Sequence, residues 1–582
     1  MAISSIFLLS LFSLIYVIPI EATHHVYQTL ETLSSHHSSK SNHQPYRTAY
    51  HFQPLKNWIN DPNGPMRYGG FYHLFYQYNP KGAVWGNIVW AHSVSKDLVN
   101  WTPLDHAIHP SQPSDIKGCW SGSATILPGG KPAILYTGID PNNHQVQNIA
   151  IPKNMSDPLL REWKKSPKNP LMEPTIANKI NSSSFRDPTT SWLGKDGFWR
   201  VLIGSKIDTK GMAILYKSKN FVDWVEAKHP LHSAEGTGMW ECPDFYPVLD
   251  KNLLRTGVDT SRNGDDDVRH VLKVSLDDTK HDHYLIGSYD VVKDVFVPEN
   301  GFEDNGFVLR YDYGKYYASK TFFDDGKNRR ILLGWVNESS SVADDVKKGW
   351  SGIHTIPREI WLHESGKQLV QWPVKEIENL RMNPVNWPTK VIKGGERISI
   401  TGVDSVQADV EISFEISDLG KVESLRKWID PQLLCSQKGA GVKGGVGPFG
   451  LLVFASQGLK EYTAVFFRIF KYQDKNLVLM CSDQSRSSLN KDNDMTSYGT
   501  FVDVDPLHEK LSLRTLIDHS VVESFGGEGR ACVTARVYPT LAIHDKAMLY
   551  AFNNGTSAVK ITSLSAWSMK KAKDQLKLTS EY

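Results

Sequence analysis

Alternating hydrophobic and polar positions divide the chain into two regions of strand-like sequence. Between residues 50 and 375, short aromatic and β-branched runs such as 71–78 and 199–203 are separated by clusters of Gly, Pro, Asn and Asp, as expected of strands joined by turns. Between residues 391 and 582 the alternation is cleaner, as in 408–416 and 521–525. The pattern predicts an all-β chain. Two domains are expected, because one ordinary core rarely serves 582 residues.

The remaining segments are predicted to lie outside these two domains. Residues 6–20 form an apolar run of signal-peptide length, with a cleavage site after Ala22, so 1–22 is expected to be a signal peptide and the mature protein to have no membrane span. Residues 23–49 are rich in His, Ser and Thr without regular ligand spacing, which favours a disordered leader or propeptide. Residues 376–390 include a Pro-rich stretch and are interpreted as a linker.

Short segments of the first region recur at a nearly constant spacing. Residues 95–101 return as 218–224, which is 123 residues later, and an Asp-Pro pair returns after 126 residues. Recurring marks fall at about half that spacing, at Asp61, Trp120, Asp187 and Glu241. A unit of this size holds about four strands, as a propeller blade does. The spacing predicts a five-bladed β-propeller over 50–375, followed by a β-sandwich over 391–582. The alternative is one large β-sandwich in which the sequence segments recur by chance.

Composition and charge limit the classes of partner. A formal net charge of +2 without runs of Lys or Arg makes nucleic acid an unexpected partner, whereas a mildly basic surface is compatible with association with acidic cell-wall polysaccharide. No Cys/His cluster has metal-ligand spacing, so no metal is expected. Export agrees with five glycosylation sequons, which occur at Asn100, Asn154, Asn181, Asn337 and Asn554.

Five cysteines leave at least one thiol unpaired if the protein folds in an oxidising compartment. Cys435 and Cys481 lie in the same β-rich region and are the best candidates for a disulfide. Cys119 and Cys242 lie near the candidate catalytic residues, where cysteine ordinarily serves as a small buried hydrophobic side chain.

Three carboxylates at echoing positions carry the candidate chemistry. Asp61 lies in a turn-rich stretch beside aromatic residues, Asp187 follows Arg186, and Glu241 stands between a tryptophan and a Cys-Pro pair. Retaining hydrolysis of a glycosidic bond needs two carboxyl groups roughly 5 to 5.5 Å apart, and a propeller axis can bring residues of different blades together. A third carboxylate can stabilise the positive charge that develops on the sugar. Taken singly, each could instead cap a strand or form a salt bridge.

The neighbours of these carboxylates predict their roles. The apolar setting of Glu241 should raise its pKa and suit it as general acid. Asp61, amid amide and turn donors, should stay ionised and act as nucleophile. Arg186 should keep Asp187 charged, in keeping with substrate binding. Because adjacent strand residues face opposite sides, Arg186 and Asp187 can both reach the substrate only at a strand end or a bulge.

Three stretches closely resemble the signature motifs of glycoside hydrolase family 32: WINDPNG at 58–64, FRDP at 185–188 and WECPDF at 240–245. The resemblance extends from about residue 50 to the C-terminus. It implies a propeller followed by a sandwich, the catalytic roles just described, and no cofactor. It also implies substrate contacts by Trp58, Asn60, Gln77, Trp85, Trp120, Ser121 and Arg186.

Finer features resemble one group within the family, the plant cell-wall acid invertases. Pro243 is typical of that group, and Asp277 and Lys280 resemble a pair that favours sucrose, although such a pair is otherwise an ordinary surface ion pair. The expected function is β-fructofuranosidase activity, the hydrolysis of sucrose to glucose and fructose, by a secreted enzyme of the cell wall or apoplast. A fructan exohydrolase and a non-catalytic sugar-binding homologue are the alternatives. A fructosyltransferase fits less well, because Trp58, Asn60 and Ser121 match the hydrolytic pattern.

Overall fold

A computed structural model of the protein describes residues 44–250, 255–299 and 309–573. The predicted signal peptide and residues 23–43 of the predicted leader lie outside the described residues. Residues 44–49 differ from the prediction of a disordered leader, because they are tied to the C-terminal domain. The N–H groups of Ala49, Tyr50 and His51 donate to the buried carboxylate of Asp518 at 2.7 to 2.9 Å. No helix in the described part is long and apolar enough to cross a membrane.

The first domain is the predicted five-bladed propeller, and each blade is an antiparallel sheet. Blades 1 and 2 contain β1 (Asn57–Tyr68), β2 (Phe71–Asn79), β3 (Val89–Ser95), β4 (Trp101–Ile108), β5 (Cys119–Leu127), β6 (Lys131–Ile139), β7 (Gln145–Pro152) and β8 (Trp163–Lys165). Blade 3 contains β9 (Phe185–Arg186), β10 (Trp192–Leu193), β11 (Trp199–Ile207), β12 (Lys210–Ser218), β13 (Val225–Glu226) and β14 (His232–Ala234).

The last two blades complete the ring. Blade 4 contains β15 (Trp240–Leu249), β16 (Val268–Leu276), β17 (His281–Asp290) and β18 (Val295–Pro298). The chain continues through β19 (Tyr317–Asp324), β20 (Arg329–Val336), β21 (Trp350–Ser351), β22 (Ile353–His354), β23 (Arg358–Leu362) and β24 (Leu369–Pro373). All of these belong to blade 5 except β21, which pairs in parallel with β1 of blade 1. Hydrogen bonds between β21 and β1 therefore close the propeller.

The repeated sequence segments adopt the same turn in blades 1 and 3. In each turn a side-chain oxygen, of Asp97 or of Asn220, accepts hydrogen bonds from the backbone N–H groups two and three residues further on. The residue after each acceptor is left-handed, with φ of 65° at Leu98 and 65° at Phe221. The echo in the sequence thus marks equivalent positions, two blades apart.

The second domain is a β-sandwich of two sheets, as predicted. Its strands are β25 (Arg381–Trp387), β26 (Lys390–Ile392), β27 (Glu396–Ser399), β28 (Gln407–Glu415), β29 (Glu423–Ser424), β30 (Phe449–Ala455), β31 (Thr463–Tyr472), β32 (Lys475–Asp483), β33 (Tyr498–Val502), β34 (Leu511–Asp518), β35 (Val521–Gly526), β36 (Ala531–Arg536), β37 (Met548–Asn553) and β38 (Val559–Met569). One sheet has the order β25-β38-β28-β34-β35-β36 with β26 on β38, and the other β27-β37-β30-β31-β32-β33 with β29 on β31.

The predicted linker at 376–390 is largely part of the sandwich. After a 3₁₀ helix at Lys375–Leu380, β25 pairs with β38 from Arg381 to Trp387, with an irregular register between Met382 and Val385. Proline lacks an N–H donor, so it is tolerated in an edge strand or at a bulge. This position at the sheet edge explains how a Pro-rich stretch forms a strand.

Two short α-helices and three other 3₁₀ helices interrupt the strands of the described part. Helix α1 (Val342–Lys348) begins after Ser341, whose Oγ accepts the N–H of Asp344, and helix α2 is Pro431–Gln437. The other 3₁₀ helices are Pro113–Asp115, Gln457–Leu459 and His544–Lys546. Cys435, on α2, forms the predicted disulfide with Cys481, which ties this helix to β32. The other three cysteines are buried thiols.

Buried ion pairs join the sandwich to the propeller. Arg536 Nη1 of β36 lies 3.1 Å from Glu338 Oε1, which follows β20. On the propeller side Arg358 pairs with Asp312 at 2.9 Å, and Asp312 also accepts the hydroxyl of Thr534 on β36 at 2.6 Å. These charges are almost completely buried, so removing one partner would leave an uncompensated charge in the interface.

Candidate active site

The innermost strands of the blades converge on a cavity of about 860 Å³. All of the residues predicted for catalysis and substrate binding line it: Trp58, Asn60, Asp61, Gln77, Trp85, Trp120, Ser121, Arg186, Asp187, Glu241, Asp277 and Lys280. They come from blades 1 to 4, so only the closed ring brings them together. The sequons Asn181 and Asn337 also lie on its wall.

The innermost strands depart from regular pairing where they reach the cavity. The register shifts between Ile59 and Pro62 in β1, between Cys119 and Gly122 in β5, between Glu241 and Asp244 in β15, and between Tyr317 and Lys320 in β19. In blade 3, Asp187 follows the end of β9 with φ of 66°. Bulges and strand ends re-aim side chains, which is how Arg186 and Asp187 both face the cavity.

Asp61 is held by donors on both carboxylate oxygens. Ser121 Oγ donates to Oδ2 at 2.5 Å, and Asn60 Nδ2 donates to Oδ1 at 3.0 Å. The carbonyl of Asn60 is in turn 2.7 Å from Nε2 of the buried His354. Burial raises the pKa of Asp61 above its ordinary value, and the hydrogen bonds from Ser121 and Asn60 offset only part of that rise.

Asp187 and Asp61 meet at one thiol. Cys242 Sγ lies 3.4 Å from Asp61 Oδ2 and 3.5 Å from Asp187 Oδ2. Asp187 Oδ2 also accepts the N–H of Cys242 at 2.9 Å, while its own N–H donates to Thr137 Oγ1 at 2.8 Å. Burial raises the pKa of Asp187 to about 6, against the opposing charge of Arg186. These contacts place the two carboxylates in one cluster beside Glu241, which precedes Cys242.

Glu241 is surrounded by cations and donors. Arg186 donates to Oε1 from Nη2 at 2.8 Å and from Nε at 3.2 Å, and Tyr317 Oη donates to Oε2 at 2.5 Å. Lys280 Nζ lies 3.7 Å from Oε2. Burial favours the neutral acid, but the charges of Arg186 and Lys280 and the hydrogen bond from Tyr317 outweigh it, so the pKa of Glu241 lies below its ordinary value.

The predicted rise in the pKa of Glu241 therefore has the wrong direction. Trp240, thought to make the setting of Glu241 apolar, points to the opposite side of the strand and is fully buried in the core of blades 3 and 4. Arg186 reaches across to Glu241 instead of pairing with its neighbour Asp187. The cation thus lowers the pKa of Glu241, and the pKa values of Asp61 and Asp187 are raised by burial.

Aromatic side chains and an ion pair complete the cavity. Trp85 and Trp120 pack edge to face with ring centroids 5.7 Å apart, and such faces cover apolar sugar surfaces. Asp277 bonds Lys280 and lies 3.6 Å from Arg186 Nη2. The Asp277–Lys280 pair, which the sequence left open to an ordinary surface role, therefore lies beside Glu241.

Tyr317 and Tyr498 are among the cavity residues that the sequence interpretation missed. Tyr317 opens the innermost strand of blade 5 and stands directly before its register shift, as Glu241 does in blade 4. Five blades should contribute a fifth residue after Asp61, Trp120, Asp187 and Glu241. A longer connection after Glu241 moves Tyr317 away from the regular spacing. Tyr498 of β33 also lines the cavity, so the sandwich supplies part of the wall. No sequence signal marks Tyr498.

Comparison with known families and proteins agrees with this architecture. The glycosyl hydrolases family 32 N-terminal domain matches residues 51–373, and the family 32 C-terminal domain matches residues 376–568. A solved fructan 1-exohydrolase IIa from Cichorium intybus superposes with a TM-score of 0.89 at 54% identity, over 92% of this chain and 99% of that chain.

Curated relatives match over nearly the whole chain. The beta-fructofuranosidase, insoluble isoenzyme CWINV1, of Arabidopsis thaliana is 64% identical over 564 residues, which is 96% of each chain. A fructan 6-exohydrolase of Beta vulgaris is 61% identical over 93% of this chain and 89% of its own length. Models of both family domains match this chain, and the curated relatives align over nearly its whole length. The chain belongs to glycosyl hydrolase family 32.

Proposed function

We propose that the protein is a retaining β-fructofuranosidase that hydrolyses sucrose to glucose and fructose. The observation that carries this proposal is the single cavity in which Asp61, Asp187 and Glu241 meet, with Asp61 held by Ser121 and Glu241 held by Arg186. The family supplies glycosidase chemistry. High identity to proteins named beta-fructofuranosidase supports the substrate.

The contacts of each carboxylate support a division of labour. Asp61 is the nucleophile: its oxygen bonds to the anomeric carbon of the fructosyl unit as the bond to the glucose oxygen breaks. Glu241 gives that leaving oxygen a proton, then takes one from the water that releases fructose, which returns the enzyme to its starting state. Asp187 accepts hydrogen bonds from the fructosyl hydroxyls and stabilises positive charge on the ring.

The proton that Glu241 needs comes from the cluster as a whole. Carboxylates this close titrate together, and the pKa of Asp187, raised to about 6, means that the group holds a proton under mildly acidic conditions. A bound fructoside excludes water from Glu241, which raises the pKa of that carboxyl and draws the proton to it. Activity should therefore be highest at mildly acidic pH and decline as the pH rises through about 6.

Fructan exohydrolase activity is the second candidate. Relatives of similar identity carry that name, and one solved relative holds 1-kestose, a short fructan. Asp277 and Lys280 favour sucrose in this proposal, because they stand beside the acid Glu241, where the leaving glucose would lie.

We also propose that the protein is exported to the cell wall or apoplast. The sequence-based signal peptide and the word "insoluble" in the names of the relatives support this. Asn154, Asn181 and Asn337 are exposed and free to carry glycans. Asn100 and Asn554 are half-buried, and their Nδ2 groups donate to Asp97 Oδ2 at 2.8 Å and to Ala440 O at 2.9 Å.

Replacing Glu241 by Gln should lower kcat on sucrose about 10³-fold or more, because the leaving oxygen loses its proton donor. A fructoside with a good leaving group needs less protonation and should lose far less. Steady-state kinetics on sucrose and on p-nitrophenyl β-fructofuranoside measures the difference. Glu162→Gln, at an exposed position, is the matched control. Equal sucrose turnover in wild type and Glu241→Gln would refute the assignment.

Replacing Tyr317 by Phe should move the alkaline limb of the kcat/KM profile to higher pH. The hydrogen bond from Tyr317 favours the charged form of Glu241. Because its loss raises the pKa of Glu241, the acid stays protonated to a higher pH. Tyr498→Phe, at the same cavity, is the control. A limb that stays in place or moves to lower pH would contradict this account of Glu241.

Replacing Asp277 by Ala should lower kcat/KM for sucrose about tenfold or more while changing fructose release from inulin less than about threefold, because the leaving-group side of the cavity loses a polar contact. Asp278→Ala removes the neighbouring exposed carboxylate and serves as the control. Product analysis on both substrates gives the ratio. Equal losses on sucrose and inulin would remove Asp277 from specificity.

Glycan mapping should find sugars on Asn154, Asn181 and Asn337, and none on Asn100 or Asn554, where a glycan would replace the hydrogen bonds given above. Peptide mass spectrometry after enzymatic deglycosylation in heavy-oxygen water distinguishes occupied sites. High occupancy of Asn100 or Asn554 in the folded, secreted protein would contradict the expectation.

A further inference from the structure

The two peptide units after Glu241 adopt a conformation that needs outside support. Cys242 has φ of 44°, a left-handed value that is strained for a residue with a side chain. The strand is also out of register from Glu241 to Asp244. Pro243 has no N–H, so β15 cannot use that residue as a donor to its neighbour.

Three hydrogen bonds with buried side chains hold this segment. The N–H of Cys242 donates to Asp187 Oδ2 at 2.9 Å. On the other side, Lys273 Nζ donates to the carbonyl of Cys242 at 3.1 Å, and Lys320 Nζ donates to the carbonyl of Pro243 at 3.1 Å. Both lysines are almost completely buried. Two ammonium groups therefore clamp consecutive carbonyls directly behind the catalytic carboxylates.

The two lysines differ in how their charge is balanced. Lys273 lies 3.2 Å from Asp282 Oδ2 and bonds Ser275 Oγ at 2.9 Å. For Lys320 the described part of the chain gives one hydrogen bond, to Pro243, and no carboxylate within salt-bridge distance. A buried ammonium without a paired carboxylate is costly. This cost favours a functional role for Lys320.

The site carboxylates lie among charged and polar groups on both sides. On the cavity side they face Arg186, Lys280 and Tyr317, and behind them lie Lys273, Asp282 and Asp244. Asp282 balances Lys273, and Asp244 accepts the N–H and hydroxyl of Thr321. Asp61 and Asp187 both contact the thiol of Cys242. The carbonyls of Cys242 and Pro243 are the ones that Lys273 and Lys320 bond.

We propose that Lys320 is a positioning residue for the reaction: its ammonium fixes the Pro243 carbonyl so that the Cys242 N–H meets Asp187 and the Glu241 side chain faces the cavity, and its charge offsets the site carboxylates from behind. Lys273 acts beside it on the Cys242 carbonyl. The inference rests on the proposed function for its kinetic consequences but not for its structural one.

The structural consequence is tested by amide hydrogen exchange of Lys320→Met in the full-length protein. Peptides spanning 240–249 should exchange at least about tenfold faster than in wild type, because the Cys242 N–H loses its fixed partner geometry. Peptides spanning β5 of blade 2 should be unchanged, which shows that the variant is folded. Unchanged protection in 240–249 would overturn the proposal, whatever the protein's activity.

The kinetic consequence is tested on the same variant. Lys320→Met should lower kcat about tenfold or more with KM changed less than about threefold. Loss of a buried positive charge raises the pKa of nearby carboxylates, so the alkaline limb of the pH profile should move upward. Lys320→Arg keeps the charge and should keep the limb, and Lys228→Met controls for loss of one surface charge.

These readouts separate the two ideas. If wild type cleaves no fructoside, the proposed function fails, and the exchange experiment still decides whether Lys320 holds the segment. If wild type is active and Lys320→Met has a normal kcat and an unmoved pH limb, the positioning role is refuted. A loss of activity with an unmoved limb would reduce Lys320 to a structural residue.

Discussion

The burial of three carboxylates in one cavity is the constraint on which the rest of the site depends. Asp61, Asp187 and Glu241 repel one another, and each loses hydration on burial, so the site needs cations and donors in fixed positions. Arg186 and Lys280 supply positive charge from the cavity side. That charge goes chiefly to Glu241, whereas burial raises the pKa values of Asp61 and Asp187.

This electrostatic arrangement depends on irregular backbone. In regular strands, successive side chains would alternate between cavity and blade core. The bulges of blades 1, 2, 4 and 5, and the left-handed Asp187 at the strand end in blade 3, turn the polar side chains inward together. Each irregularity gives up regular ladder bonds, and side chains such as Thr137 and His354 replace part of what is lost.

The sandwich contributes more to the site than a packing surface. Tyr498 lines the cavity, and Arg536 pairs with Glu338, whose Oε1 also accepts the N–H of Gly352. Gly352 follows β21, the strand that pairs with β1 close to Asp61. The second domain is thus joined by buried charges to the segment that closes the propeller ring.

The sequence by itself determined the fold class, the repeat of blades, the disulfide and twelve of the residues that line the cavity, because periodicity and short motifs are local properties of the chain. It did not determine which cation meets which carboxylate. Arg186 is adjacent to Asp187 in sequence but bonds Glu241, and Trp240 is adjacent to Glu241 but faces a different core. Residues 381–387 form an edge strand because they pair with β38, which is far away in sequence. Tyr317 likewise joins the site through a hydrogen bond to the distant Glu241. Only the closed ring fixes those distances, and since charge interactions and burial act through space, the tertiary structure alone set the direction in which each carboxylate's pKa shifts.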